Sequence, residues 1–191
     1  ISIPLSARTH SISSLRGTLE NYKIGDRLTD QLEKAQLLQA KLIDLNLVFY
    51  VVTGIIESQR ALFKQAGWPC GFRVKVKILN AWRAIPFLDT DFFLSHVERN
   101  GIPICLTRYC VNPPVSAPDT FIHVPDNEAE GEEWVKVALQ AFRVLIPIAE
   151  AFGIPMTDLL AQEPDGKAAS HASIYESLMK AGKHSAALSP L

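Results

Sequence analysis

Cysteine is scarce in this sequence, and its placement excludes the usual cysteine frameworks. Only three cysteines occur among 191 residues, and none forms a CxxC or Cys/His pair with zinc-ligand spacing. Cys105 and Cys110 fall in a predicted strand over residues 102–111, where the extended chain places them roughly 16 Å apart, beyond disulfide reach. Thiols without disulfide partners are typical of a reducing compartment, so we expect a cytoplasmic protein.

Long apolar runs and an excess of either charge are also lacking. The most apolar segment, residues 45–56, is about twelve residues long, whereas a membrane-spanning helix needs about 20. We therefore expect a soluble protein with no membrane span. The 19 basic and 20 acidic side chains give a net charge of −1, without the basic excess of proteins that bind nucleic acid through much of their surface. A nucleic-acid contact must therefore be local.

The common motifs of catalysis and nucleotide binding are absent as well. The sequence contains no GxSxG nucleophile elbow, no GxxxxGK[ST] phosphate loop and no GxGxxG dinucleotide motif. Whether the protein is an enzyme therefore stays open. What the chain does have is 48% hydrophobic residues, enough for a folded core, and a length typical of one domain.

Hydrophobic periodicity predicts a single α/β or α+β domain, in which helices pack a small mixed β-sheet. The β-branched and aromatic content of residues 45–52 favours a strand there, although one helix over 29–66 is the alternative. The predicted strands are 45–52, 72–79, 102–111 and 121–124, and the predicted helices are 29–44, 54–66, 89–100 and 129–152.

The chain divides into three predicted parts. Residues 1–27, rich in Ser, Thr and Arg, suggest an extended N-terminal arm, and residues 28–163 form the predicted core domain. Residues 164–191 suggest a flexible tail that contains one short docking helix over 173–182. Ser173 and Glu176 form a capping box at the start of that helix. Because ten residues are too few for a stable isolated helix, it must pack on the domain or on a partner.

One candidate site lies in the acidic segment before the last predicted core helix. It brings His123 close in sequence to three carboxylates, at Asp126, Glu128 and Glu130. Carboxylates can share acid–base catalysis, and His123 with Asp126 could ligate a divalent metal. The alternative is structural, because Asn127 and the glutamates also suit the N-terminus of a helix.

A second candidate site is a row of cations on one face of the predicted strand 72–79. Arg73, Lys75 and Lys77 alternate with apolar residues, so all three point to the same side. Such a row could bind the phosphates of a nucleotide or nucleic acid. The alternative is that the lysines protect an exposed strand from edge-to-edge association.

One part of the sequence resembles a known fold family. The stretch from Phe87 to Arg108 has a helix pattern, then Asn-Gly, then a strand pattern, and it resembles the corresponding passage of the ParB/sulfiredoxin-like fold. Segments 74–79 and 121–124 would take neighbouring strand positions. The resemblance covers about a third of the chain.

This resemblance implies a role with nucleotides or DNA. Members of the family bind or hydrolyse nucleotides, act on DNA or partition plasmids. Their phosphate contacts lie in a glycine-containing box with His-Arg or Arg-Arg at the start of a helix. Here the corresponding residues are Glu130-Gly131-Glu132-Glu133, of the wrong charge for phosphate, so the resemblance implies a site that is lost or rebuilt around the basic strand.

Two functional hypotheses follow. The first is a small regulatory or interaction protein without catalysis, with another protein as its partner. The second is a DNA- or nucleotide-directed hydrolase, an ATPase or nuclease that uses ATP and Mg²⁺. In this second hypothesis Arg73, Lys75 and Lys77 hold phosphate, while the carboxylates of the acidic segment handle metal or protons.

Overall fold

The computed structural model describes residues 9–68, 71–76, 78–79, 81–105, 110–111, 120–124, 133–155 and 171–188. The helices in these segments are α1 (Ile12–Leu19), α2 (Gly25–Lys34), α3 (Leu45–Gln65), α4 (Asp91–Asn100), α5 (Glu133–Ala151) and α6 (His171–Leu188). The strands are β1 (Thr9–Ser11), β2 (Gln39–Asp44), β3 (Gly71–Val74), β4 (Ile78–Leu79), β5 (Ala84–Phe87), β6 (Cys110–Val111) and β7 (Thr120–His123).

The strands form one mixed sheet and two small antiparallel ladders. In the sheet, β2 lies between β1 and β5, antiparallel to β1 and parallel to β5. The parallel register pairs Lys41 with Ala84 and Asp44 with Phe87, so both strands end at the same edge. Strand β3 pairs with β7, and β4 pairs with β6, both antiparallel. The predicted class, an α/β or α+β domain with a small mixed sheet packed by helices, is confirmed.

The prediction of a strand over 45–52 is wrong, because these residues begin the longest described helix. Asp44 accepts hydrogen bonds from the backbone N–H groups of Asn46 at 2.9 Å and Leu47 at 3.1 Å, which caps α3. The buried positions of α3 recur at helical spacing and include Leu45, Val48, Phe49, Val52 and Ile56. The cap and this period override the local β propensity.

The strand of this region lies earlier, in residues predicted to be helical. Helix α2 ends at Lys34, and Gln36 adopts a left-handed conformation with φ of 56°. Strand β2 then begins at Gln39. The prediction of one helix over 29–44 and the alternative of one helix over 29–66 are therefore both wrong.

Residues 9–27 do not form the predicted extended arm. They contain β1, α1 and the start of α2. Leu15 and Leu19 of α1 and Ile24 before α2 are almost completely buried in the core. Serine-rich composition misled the prediction, since Ser11 caps α1 through a hydrogen bond from the N–H of Ser14.

Several other boundaries also differ from the predictions. The predicted strand 72–79 is split into β3 and β4, which pair with different partners. Within the predicted strand 102–111, residues 102–105 have no strand structure and only β6 is described as a strand. The predicted helix 54–66 is the second half of α3.

The predictions of the remaining elements are confirmed in their described parts. Helix α4 occupies most of 89–100, with Thr90 rather than Asp89 at its N-cap. Strand β7 is shifted by one residue from the predicted 121–124, and α5 lies within 129–152 with Pro147 inside it.

The predicted docking helix exists and is longer than expected. Helix α6 includes residues 173–182 and continues to Leu188. Ile174, Leu178 and Ala181 are buried, and the helix packs mainly on α3. At the contact, a Cβ atom on Gly182 would lie 2.4 Å from the carbonyl oxygen of Asn46, so only glycine allows this approach.

No helix in the described segments is long and apolar enough to cross a membrane.

Candidate functional site

The basic strand predicted from sequence is partly visible in β3. Arg73 lies in β3 and Lys75 follows the strand, and both are exposed, whereas Phe72, Val74 and Val76 are partly buried against the core. The predicted alternation of faces is therefore confirmed from residue 72 to residue 76. Lys77 lies outside the described residues, and phosphate binding by this row stays a prediction.

The pairing of β3 with β7 adds an aromatic side chain to the same face. Phe121 is the register partner of Arg73 and is 53% exposed, while its neighbour Ile122 is fully buried on the opposite face. Directly paired residues project to the same side of a sheet. We call Arg73, Lys75 and Phe121 the basic–aromatic face.

Glycine at position 71 shapes this face. A Cβ atom there would lie 2.6 Å from Cζ of Phe121 and 2.2 Å from the carbonyl oxygen of Ile122. The tip of the Phe121 ring therefore occupies space that any side chain at position 71 would fill. The β3–β7 ladder is also supported from within, because Phe63 at the end of α3 packs against Phe72 with ring centroids 5.6 Å apart.

The acidic candidate site lies largely outside the described residues. His123 ends β7, where it pairs with Gly71. Asp126, Glu128 and Glu130 lie outside the described residues, so their catalytic and metal-binding roles stay predictions. Among the residues that the structure describes, no group of three or more His, Cys, Asp or Glu could hold a metal ion.

A polar cluster that sequence reasoning missed lies at the carboxyl end of the parallel strands. Asn46, fully buried, donates from its side-chain amide to Asp44 at 2.9 Å and accepts the N–H of Asp89 at 2.9 Å. Asp89 in turn accepts the N–H groups of Lys23 at 3.1 Å and Ile24 at 3.0 Å. Asp89 thus holds the turn that leads into α2.

A chain of hydroxyl groups connects this cluster to the C-terminal helix. The hydroxyl of Ser185 in α6 donates to Asp44 at 2.5 Å, and the hydroxyl of Tyr22 lies 2.7 Å from Ser185 Oγ. Because an ionised Asp44 can only accept, the chain runs from Tyr22 through Ser185 to the carboxylate. We call these three residues the clasp. The Tyr22 ring also meets Phe87 and His184 edge-on, each with centroids 5.1 Å apart.

The environment of the clasp shifts the ionisation of its members. Burial raises the pKa of Asp44, and the hydrogen bonds from Ser185 and from the N–H of Leu47 only partly offset this effect. Burial and the nearby charge of Asp44 raise the pKa of Tyr22 to about 12. The shifts follow from packing, since both groups lie under α6.

The clasp is built for structure and not for chemistry on a ligand. Ser185 is only 4% exposed, and its hydroxyl is also within 2.9 Å of the carbonyl oxygen of Ala181. Its oxygen is therefore surrounded by protein partners and is not presented to solvent as a nucleophile. The clasp joins the α1–α2 connection, the end of β2 and α6.

An open groove lies elsewhere, between the C-terminal ends of α2 and α4. Its volume is about 410 Å³, and its lining is mostly apolar, including Leu37, Val97, Ile102 and Ile104. Lys34 is the charged residue in the lining. The polar side chains of its described lining are only Lys34 and Gln31, without an aromatic ring beside them, so among the described features the basic–aromatic face combines exposure with ligand-binding chemistry.

Comparison with known proteins adds no relative: no family model matches the chain, and no curated protein or solved structure matches it.

Proposed function

We propose that this protein is a non-catalytic, regulatory binding protein that holds nucleic acid on the basic–aromatic face. The observation that carries the proposal is the exposed pair of Arg73 and Phe121, which are register partners on the outer side of the β3–β7 ladder. A guanidinium group and an aromatic ring side by side suit a ligand that has both phosphates and bases.

The spacing of the two cations supports phosphate contacts. Arg73 and Lys75 are two residues apart on an extended chain and therefore about 7 Å apart along it. Each can then meet a different phosphate of a flexible strand. The planar guanidinium of Arg73 can bind phosphate oxygens in a bidentate manner, whereas Lys75 acts as a point charge.

The charge balance of the chain supports a local contact. With a net charge of −1, the protein has no general attraction for a polyanion, so affinity depends on the few cations at the contact. The resemblance to the ParB/sulfiredoxin-like fold, whose members include DNA-binding proteins, is part of this proposal.

The salt dependence of binding tests the proposal. The double variant Arg73→Gln/Lys75→Gln is compared with Lys180→Gln/Lys183→Gln, which removes two exposed cations from α6 instead. A labelled single-stranded oligonucleotide of mixed sequence is titrated over a series of salt concentrations. The log–log salt slope of the first variant should decrease in magnitude by about 0.7 for each phosphate contact removed.

The control should keep the slope of the unmodified protein. Equal slopes in all three proteins would show that the phosphates bind elsewhere. If the unmodified protein binds no nucleic acid, the proposed function itself is wrong.

A further inference from the structure

We infer that the ligand of the basic–aromatic face is single-stranded nucleic acid, with an unpaired base stacked on Phe121. This inference rests on the proposed function and specifies the form of the ligand. It is carried by the position of the Phe121 ring, which is exposed beside a cation on one face and braced by the ladder beneath it.

Phe121 is positioned for stacking before a ligand arrives. Its backbone is paired with β3, and the ring tip fills the space above Gly71, which no side chain occupies. Phenylalanine has only two side-chain torsions, so a ring confined in this way loses little further freedom when a base covers it. The 53% exposure of Phe121 leaves ring surface available for that contact.

The opposite side of the ladder shows that Phe121 is not part of the hydrophobic core. The inward residues Ile122 and Val124 are 0% and 2% exposed, so the side of the ladder that packs into the hydrophobic core is the side opposite Phe121. Phe121 lies outside this inward packing: its ring tip covers Gly71, and about half of the side chain is left to solvent. On an outward face with Arg73 directly opposite, its surface is instead suited to a planar ligand.

Base accessibility decides between single-stranded and duplex nucleic acid. In a duplex the faces of the bases are covered by neighbouring base pairs, and a protein reaches only their edges in the grooves. An unpaired base presents its face, and stacking on aromatic side chains is the common way in which sheet surfaces hold single strands. The two described cations of this face give little affinity for a duplex by themselves, whereas stacking adds affinity for an unpaired strand.

The stacking surface should accept many sequences. Each base has a π-face, whereas Arg73 and Lys75 are placed to meet phosphates, which all nucleotides share. We therefore expect weak sequence preference and a clear preference for unpaired strands.

Three variants at position 121 separate stacking from hydrophobic contact. Phe121→Leu keeps an apolar side chain but removes the ring, while Phe121→Trp and Phe121→Tyr keep a ring. For a single-stranded oligonucleotide of mixed sequence, Phe121→Leu should weaken binding about 5- to 150-fold, corresponding to about 1–3 kcal/mol per stacked base. Both aromatic variants should bind within a few fold of the unmodified protein.

A second arm changes the ligand and leaves the protein unmodified. An oligonucleotide of abasic sites retains the phosphates but has no base to stack. The unmodified protein should bind this strand about 5- to 150-fold more weakly than the normal strand, and it should bind a duplex of the same sequence more weakly than the single strand. This arm stays informative even if a variant at position 121 fails to fold.

The failures of the two proposals are distinguishable. If abasic, duplex and normal strands bind equally well, and Arg73→Gln/Lys75→Gln still weakens them all, stacking is wrong while phosphate binding on this face stands. If Phe121→Leu binds the normal strand unchanged, the inference about Phe121 is overturned. If no strand binds to the unmodified protein, both the proposed function and this inference are wrong.

Discussion

The clasp and the basic–aromatic face both bring polar side chains together, but in opposite environments. The clasp residues Tyr22, Asp44 and Ser185 come from distant parts of the chain. Their side chains form hydrogen bonds with one another under α6. On the face, Arg73 and Phe121 meet across one ladder and point to solvent. The difference teaches that a cluster of ionisable groups is not by itself a functional site: what matters is whether its side chains are buried within the protein or exposed to solvent.

This contrast has an energetic side. A buried polar group that loses its partner costs about 1–3 kcal/mol, whereas substitutions of exposed side chains usually change stability by less than about 0.5 kcal/mol. Variants of the clasp should therefore affect folding, and variants of the face should affect binding.

The largest expected effect is that of Asp44→Ala. This change removes the cap of α3, which contributes about 0.5–2 kcal/mol, and removes the hydrogen bonds that the Ser185 hydroxyl and the Asn46 amide donate to the carboxylate, at a cost of about 1–3 kcal/mol. We expect a loss of about 2–4 kcal/mol in the free energy of unfolding, measured by urea denaturation. Asp44→Asn is the control, because asparagine caps helices equally well. Equal losses in both variants would show that the cap and the hydrogen bonds are not what Asp44 supplies.

Gly182→Ala should have the next largest effect. The added methyl group would lie 2.4 Å from the carbonyl oxygen of Asn46 and 2.5 Å from Cβ of Tyr50, so α6 must move away from α3. We expect a loss of about 1–3 kcal/mol, as for other overpacked contacts. The matched control is Gly54→Ala in α3, where an added Cβ atom would meet nothing within 4 Å apart from its chain neighbours and the backbone of its own helix.

The control should change stability in the opposite direction. Alanine is favoured over glycine within a helix by roughly 0.5–1 kcal/mol, so Gly54→Ala should stabilise the protein. A Gly182→Ala protein as stable as Gly54→Ala would contradict the close docking of α6.

A smaller effect should appear in the dependence of stability on pH. Burial raises the pKa of Asp44 above 3.8. The Asp44 carboxyl of the folded chain therefore keeps its proton at pH values where the same carboxyl in the unfolded chain has lost its proton. The free energy of unfolding should therefore decrease as the pH rises from about 3.8 through the higher folded pKa. The difference between the unmodified protein and Asp44→Asn, measured by urea denaturation across this range, isolates the contribution of Asp44. A difference that grows in favour of Asp44 as the pH rises would show that its hydrogen bonds outweigh burial.

The two regions also differ in how much of them the sequence predicts. The cations of the basic–aromatic face could be predicted from local sequence. The alternation of apolar and charged residues from Phe72 to Val76 indicates which side chains are exposed, without any knowledge of the fold. The aromatic member was not predicted, because Phe121 reaches Arg73 only through strand pairing. The short apolar run of residues 121–124 predicts a strand, and the fold resemblance gives segments 74–79 and 121–124 neighbouring strand positions, but neither gives the register that sets Phe121 opposite Arg73.

The clasp could not be predicted by local pattern analysis. Ser185 is 141 residues from Asp44 and 163 from Tyr22, and such partners are set by the docking of α6. The prediction of a strand over 45–52, in place of β2, is wrong for a related reason. Residues 45–52 have strong β propensity, but Asp44 caps a helix there and the buried positions follow a helical period. A carboxylate two residues before an asparagine at the start of an apolar run was the available sign of that cap.

The most direct test of this division between structure and binding compares Ser185→Ala with Arg73→Gln/Lys75→Gln in one titration. The affinity of each variant for the same single-stranded oligonucleotide is measured at a temperature where circular dichroism shows both to be folded. We predict that Ser185→Ala, although less stable by about 1–3 kcal/mol, binds like the unmodified protein. The double variant, unchanged in stability within about 0.5 kcal/mol, should bind more weakly. Loss of binding in Ser185→Ala together with full binding in the double variant would contradict the account.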